Sequence, residues 1–302
     1  MMELAEHLKM PMAQYLALPA LSQGPLAKVI DECPQAAWFD SYLNPNREQD
    51  DPTTEQDIGT VCHAIVLEQN QEIVEFVDRT QFPGERGGIP VGWTTKAMKD
   101  ERERIRAAGR IPMLADNEAR VMNAVKAAWG FIERLRTSEP AIYAAFHDKG
   151  DSEVVTTWDD DGVPCKIRMD RVNADRDVII DLKFTETSVD PARWARSQLV
   201  NMGYYFGGGF YRRGCRALNG TDAEYLWLNV CTRPPHLVSI CGMNPAVKEL
   251  AGAKVDAALR KFRHCLQGGH WPAYANRVYY LDLPAWEVAR FEEQQIETGT
   301  VL

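Results

Sequence analysis

The sequence has no apolar run near the ~20 residues needed to cross a bilayer, no C-x-x-C pair among its cysteines and no excess of basic residues. The first absence sets aside a membrane-spanning helix. The first ten residues, MMELAEHLKM, also lack the charged, apolar and cleavage regions of a secretory signal, so the expected location is cytoplasmic. The seven cysteines, Cys33, Cys62, Cys165, Cys215, Cys231, Cys241 and Cys265, are odd in number and widely spread. That spacing disfavours a disulfide framework or an iron–sulfur cluster, and it suits small buried hydrophobes in a reducing compartment. His264, Cys265 and His270 lie close in sequence but form no zinc-ligand pattern. With 34 basic against 43 acidic residues the net charge is −9, which argues against a protein that coats DNA with a basic surface. A local basic channel can still coexist with an acidic exterior.

What is present is enough chain for a sizeable core: 302 residues, 45% of them hydrophobic. The pattern predicts a single domain over 1–302, mainly helical over 1–149 and sheet-containing over 150–302. Ser22 reads as the cap of a helix carrying Leu26, Val29 and Ile30. The polar stretch 44–57 reads as a loop, and a helix is expected from Ile58 to Val77 with His63 near its start. FPGERGGIPVGW is irregular, and TTKAMKDERERIRAAGR is a charged helix bearing Arg102, Arg104, Arg106 and Arg110. A solvated face is its plainer reading, and a DNA-facing arm is the other. Asp116 is expected to cap a helix with Val121, Val125, Ala128, Ile132 and Leu135 on one side.

After Gly150 the period changes from helical to alternating. EVVTTW, a DDDG turn and VPCKIRMDRV read as a hairpin, and DVIIDLKF reads as a more buried strand. A helix is expected from Pro191 to Arg213, two strands in EYLWLNVCT and HLVSICGM, and a last helix from Pro245 to Leu266. This order gives an α/β (α+β) fold, a sheet packed by helices.

Within that core, alternation places Asp181 and Lys183 on one face of a strand and Leu182 on the other. Asp170 lies on the preceding strand. Two carboxylates and an ammonium are what metal-assisted phosphodiester cleavage uses: oxygen ligands for a cation, and a positive charge beside the attacking water. A D/E-x-K tripeptide recurs by chance roughly twice in a chain of this composition. A charged pair inside VIIDLKF is nevertheless costly unless paired or metal-bound, and a plain ion pair remains the simpler alternative. His63, read alone, fits an ordinary helix histidine; Glu153 opens the first strand, where it either supplies another ligand or is a plain exposed strand-end glutamate; and Glu68 points away from His63 on a helical wheel.

Several pieces, in order, resemble the phage and prophage exonuclease family typified by RecE, exodeoxyribonuclease VIII, in the PD-(D/E)XK nuclease superfamily. They are ALPALSQGPLAKVIDECPQAAWFDSYL, GTVCHAIVLE, AAGRIPMLADNEARV, GVPCKIRMDRV with IIDLKFTET, and a tail with HWPAY and LPAW, from near Leu18 to near Trp286. The resemblance implies a central mixed sheet flanked by helices, with a helical N-terminal region. It also implies that His63, Asp170, Asp181 and the backbone carbonyl of Leu182 bind Mg²⁺, for which Mn²⁺ can substitute, and that Lys183 positions or helps deprotonate the attacking water.

The resemblance further implies 5′→3′ degradation of linear duplex DNA from its ends, leaving 3′ tails for a single-strand annealing partner. A ring-shaped homo-oligomer such as a tetramer is implied as well, in the cytoplasm of a bacterium or phage-infected host and away from any membrane. The family's Q-x-x-x-Y motif is met by Tyr211, while Gly207 stands where Gln is expected. Tyr211 and Glu153 are then candidates for DNA contact or support of the site. Apart from the resemblance, three consecutive glycines, Gly207 to Gly209, in a helix interior mean either that the helix breaks there or that a neighbouring helix or a DNA backbone approaches closely. The competing functions are a non-catalytic DNA-binding or assembly protein that keeps the fold, and an endonuclease with the same metal site.

Overall fold

The computed structural model describes residues 2–48, 58–84, 87–147 and 150–298. In chain order the elements are β1 (Ala5–His7), α1 (Met12–Ala17), α2 (Gln23–Asp31), α3 (Pro34–Asp40), α4 (Ile58–Glu68), β2 (Val74–Val77), α5 (Lys96–Ala107), β3 (Ile111–Leu114), α6 (Glu118–Ser138) and α7 (Pro140–Phe146). They continue with β4 (Gly150–Asp160), β5 (Val163–Asn173), β6 (Val178–Thr185), α8 (Pro191–Trp194), α9 (Tyr204–Asn219), β7 (Glu224–Cys231), β8 (Val238–Gly242), α10 (Pro245–Gly268) and α11 (Ala285–Thr298). The chain divides into two units, Met1–Pro272 and Ala273–Leu302. The second carries α11 and exposes Tyr280, Leu281, Trp286 and Phe291. Among the described residues no helix is long and apolar enough to cross a membrane.

The first unit is built on a six-stranded sheet in the order β1-β4-β5-β6-β7-β8. All neighbours are antiparallel except β6 and β7, which run parallel, so the sheet is mixed as expected. The hairpin β4–β5 turns through Asp161 (φ 47°) and Gly162 (φ 88°), the Asp-Gly pair that a two-residue turn of matching twist requires. One face of the sheet buries Trp158, Ile167, Met169 and Trp227 against Leu26, Phe210, Val255 and Phe262. The other buries Ile180, Leu182 and Leu228 against Val61, Ile65, Val125, Ile132 and Phe146. The result is three layers, with helices α2, α9 and α10 on one side of the sheet and α4, α6 and α7 on the other.

Three expectations are corrected. The helix from Ile58 stops at Glu68, not Val77: Gln69 turns left-handed (φ 51°) and its amide bonds Phe146 O. Val74–Val77 instead pairs in parallel with Ile111–Leu114, a long-range partnership that local periodicity does not register. The segment from Pro191 is not one helix; it widens into a π-helical stretch at Ala195–Val200, breaks at Gly203 (φ 65°) and restarts as α9. Finally, Asp116 pairs with Arg79 in a short 3₁₀ turn and does not cap α6. Residues 49–57 of the expected polar loop and 85–86 of the irregular stretch lie outside the described residues.

On α5 the arginines meet neighbouring acids: Arg104 pairs with Glu101 at 2.8 Å and with Glu75, and Arg106 pairs with Glu103 at 2.8 Å. This is the arrangement of a solvated helix. The glycines of α9, each costing a helix about 1 kcal/mol relative to Ala, are explained by close packing at two positions. A Cβ on Gly208 would lie 2.8 Å from Met243 Cε and 3.2 Å from Tyr225 Cδ1, and one on Gly209 would lie 3.0 Å from the backbone carbon of Ala251 in α10. Helix and sheet approach is therefore what these two residues permit.

Candidate active site

The site follows from strand register. Ser152 pairs with Arg171 and Val154 with Met169, so Glu153 lies opposite Asp170 across β4 and β5. On the next pair of strands Arg171 matches Ile180 and Val172 matches Ile179, and the ladder ends there. One step further would set Asp170 opposite Asp181. Instead, Asp170 Oδ2 accepts the N–H of Leu182 at 2.9 Å, so a carboxylate occupies the place where a ladder bond would run and the two strands part around it. Glu153, at φ 58°, switches the faces of β4: Ser152 Oγ donates to Leu67 O toward α4, whereas Val154 joins the opposite core. A non-glycine residue held at positive φ within a strand carries strain that the surrounding structure must over-determine.

Helix α4 packs Val61, Ile65 and Val66 into the core, and this fixes His63 over β5. His63 Nε2 lies 2.9 Å from Asp170 Oδ2. One ligand atom each from His63, Glu153 and Asp170 falls within 4.8 Å of the others. Beside them Lys183 Nζ stands 2.7 Å from Asp181 Oδ2 and 5.3 Å from the centre of the Tyr204 ring on α9. Asp181 Oδ2 is buried, with the Lys183 ammonium as its charged partner. Glu153 also pairs with Arg168.

Electrostatics divides the three carboxyl groups. Burial disfavours a charge on Asp170, but His63, Lys183 and the Leu182 N–H outweigh it and bring its pKa down to about 2. Asp181 is pushed up to about 6 by burial and by the charge of Asp170, against the pull of Lys183. Glu153 is raised by burial and by Asp170, with Arg168 opposing. Burial lowers His63, yet Asp170 raises it overall. Burial likewise lowers Lys183, and Asp181 and Asp170 more than compensate, so its ammonium stays charged. Crowded carboxyl groups that resist ionising together are relieved by a cation shared among them. Carboxylate oxygens with one imidazole suit a divalent cation.

Of the residues singled out in the sequence, the structure brings His63, Glu153, Asp170, Asp181 and Lys183 together. Leu182 takes part through its N–H to Asp170. Tyr211 lies on α9 with its ring 5.4 Å, edge-on, from Tyr225. The place of Glu153 opposite Asp170 was open to detection: counting back along β4 and forward along β5 by equal steps from the DDDG turn ends on this pair. The alternative, an exposed strand-end residue, fails because its side chain is only 15% exposed.

Residues 26–284 match the family described as PDDEXK-like domain of unknown function (DUF3799). Among solved structures, the chain is similar to a provisionally assigned exonuclease from Eubacterium rectale, at 15% identity and a TM-score of 0.49, over 93% of this chain and 98% of that one. It is also similar to the protein designated SSO0001, at 13% identity and a TM-score of 0.26, over 66% of this chain and 84% of that one. No curated protein matches the sequence.

Proposed function

Because the chain belongs to this family of PDDEXK-like domains, we propose that it is a divalent-metal-dependent exodeoxyribonuclease acting on the ends of linear duplex DNA. The observation that carries this reading is the cross-strand row Glu153, Asp170 and Asp181, with Lys183 beside it and His63 bonded to its centre. Like charges crowded on neighbouring strands disfavour one another, and a divalent cation shared among them would relieve that beyond what Arg168, His63 and Lys183 already do. His63, Glu153 and Asp170 would hold that ion, with Asp181 and the Leu182 carbonyl as further donors. When bound, Mg²⁺ or Mn²⁺ supplies charge stabilisation at the scissile phosphate and acidifies a bound water.

The protein's own groups do the rest. Asp170 orients the His63 ring and is itself locked by the Leu182 N–H. Lys183 is held charged by two carboxyl groups, so it acts as a fixed positive charge where negative charge develops, rather than as a base. The RecE-like resemblance supports 5′→3′ polarity, 3′ single-stranded tails, a ring-shaped homo-oligomer around DNA and an annealing partner in a bacterial or phage-infected cytoplasm.

Lys183→Ala tests the chemistry. It is expected to lower cleavage of linear duplex DNA by at least about a hundredfold while keeping the fold and most of the DNA affinity. Full activity in that variant would overturn the assignment, and a wild-type protein that binds DNA with no metal-dependent cleavage would favour the non-catalytic reading.

A further inference from the structure

Gly207 differs from its two neighbours in what it makes room for. A Cβ at Gly208 or Gly209 would meet the sheet or α10, but a Cβ at Gly207 would overlap Oε1 of Gln23, the first residue of α2, with the Gln23 amide carbon 3.2 Å away. The notch left by the missing side chain thus holds a carboxamide supplied from another helix, at the position where the family resemblance expects Gln. Gln23 is nevertheless exposed, and its carboxamide has no hydrogen-bond partner among the described residues. Held against α9 at one end and open to solvent, the carboxamide keeps its donors and acceptor available to a ligand that displaces water.

Its place in the fold says what that is. Tyr204, Gly207 and Tyr211 share one face of α9 through their i, i+3, i+7 spacing. Tyr204 lies over the Lys183 ammonium, and Tyr211 lies edge-on to Tyr225, which sits on the same sheet face as Asp181. The carboxamide therefore caps the wall of helix that faces the acidic row. We infer that Gln23 is a substrate-contact residue, its Nε2–H donating to a phosphate oxygen of the DNA strand led across Lys183. This rests on the nuclease reading above. A neutral amide suits the task because it bonds a phosphate without adding a charge next to the metal-binding carboxylates, and phosphate contacts of this kind fix the register of the strand.

The glycine notch allows a test that separates contact from folding. Gly207→Ala would push the flexible end of Gln23 aside without touching backbone, so it should melt at or above the wild-type temperature. Affinity for a short linear duplex is measured by fluorescence anisotropy with Ca²⁺ in place of Mg²⁺, and cleavage of the same duplex is followed in Mg²⁺. Gln23→Ala and Gly207→Ala are each expected to bind about fivefold more weakly, as for one lost hydrogen bond. The double variant should bind no more weakly than either single one, and Gln23→Ala/Gly207→Gln should regain the wild-type affinity. Wild-type affinity in both single variants, in a protein that cuts the duplex, would overturn the role of Gln23 alone. A wild type that neither binds nor cuts would remove the nuclease reading and this inference with it.

Discussion

Asp170 and Asp181 are both buried aspartates of adjacent strands, yet their surroundings drive them in opposite directions. Asp170, lowered to about 2, contributes stability that is present above its ordinary value near 3.8 and is lost as pH falls through 2. Asp181, raised to about 6, contributes stability that is full below 3.8 and is lost as pH rises through 6. In EDTA, the melting temperature of Asp181→Asn relative to wild type is therefore expected to climb between about pH 4 and pH 6, and added Mn²⁺ should shrink that difference by stabilising the wild-type carboxylate. A difference that stays constant with pH would contradict the assigned burial. The sequence exposed Asp170, Asp181 and Lys183 because charged residues inside β-rich apolar strings demand an explanation. It left Glu153 and His63 ambiguous, since the first depends on register and the second on how α4 lies across the sheet. Gln23 carried no local signal at all: its meaning comes from an absent side chain on a helix distant in sequence.

Elements whose partners are next in sequence were readable, and those with distant partners were not. The β4–β5 hairpin followed from alternation on both sides of an Asp-Gly turn, and α10 from its apolar stripe. Strands β2 and β3 each gain their edge hydrogen bonds from the other across α5, so neither is marked by its own four residues. The break before α9 hinges on Gly203, whereas Gly214, further along, stays helical because Trp158 and Ile167 pack against it. Two glycines can therefore look alike in sequence and act oppositely. The same contrast gives an expected outcome within α9. Gly209→Ala should force α9 away from the Ala251 backbone and cost about 1–3 kcal/mol in urea unfolding, while Gly207→Ala should cost nothing. Equal stability of the two variants would contradict the packing described for α9 against α10.

For the molecule as a whole, an acidic chain of net charge −9 surrounds a site that itself gathers carboxyl groups, so attraction for DNA has to be local and cation-dependent. The three-layer fold, the mixed sheet and the splayed strands β5 and β6 all converge on one place where a divalent ion, Lys183 and a DNA strand could meet. The central claim is that this place cuts DNA from an end. Its most direct test incubates 5′-labelled linear duplex DNA and closed circular DNA with the purified protein, each in Mg²⁺ and in EDTA. Release of label from the linear DNA alone, and only with Mg²⁺, is the expected result; nicking of the circle, or no cleavage of either substrate, would contradict it.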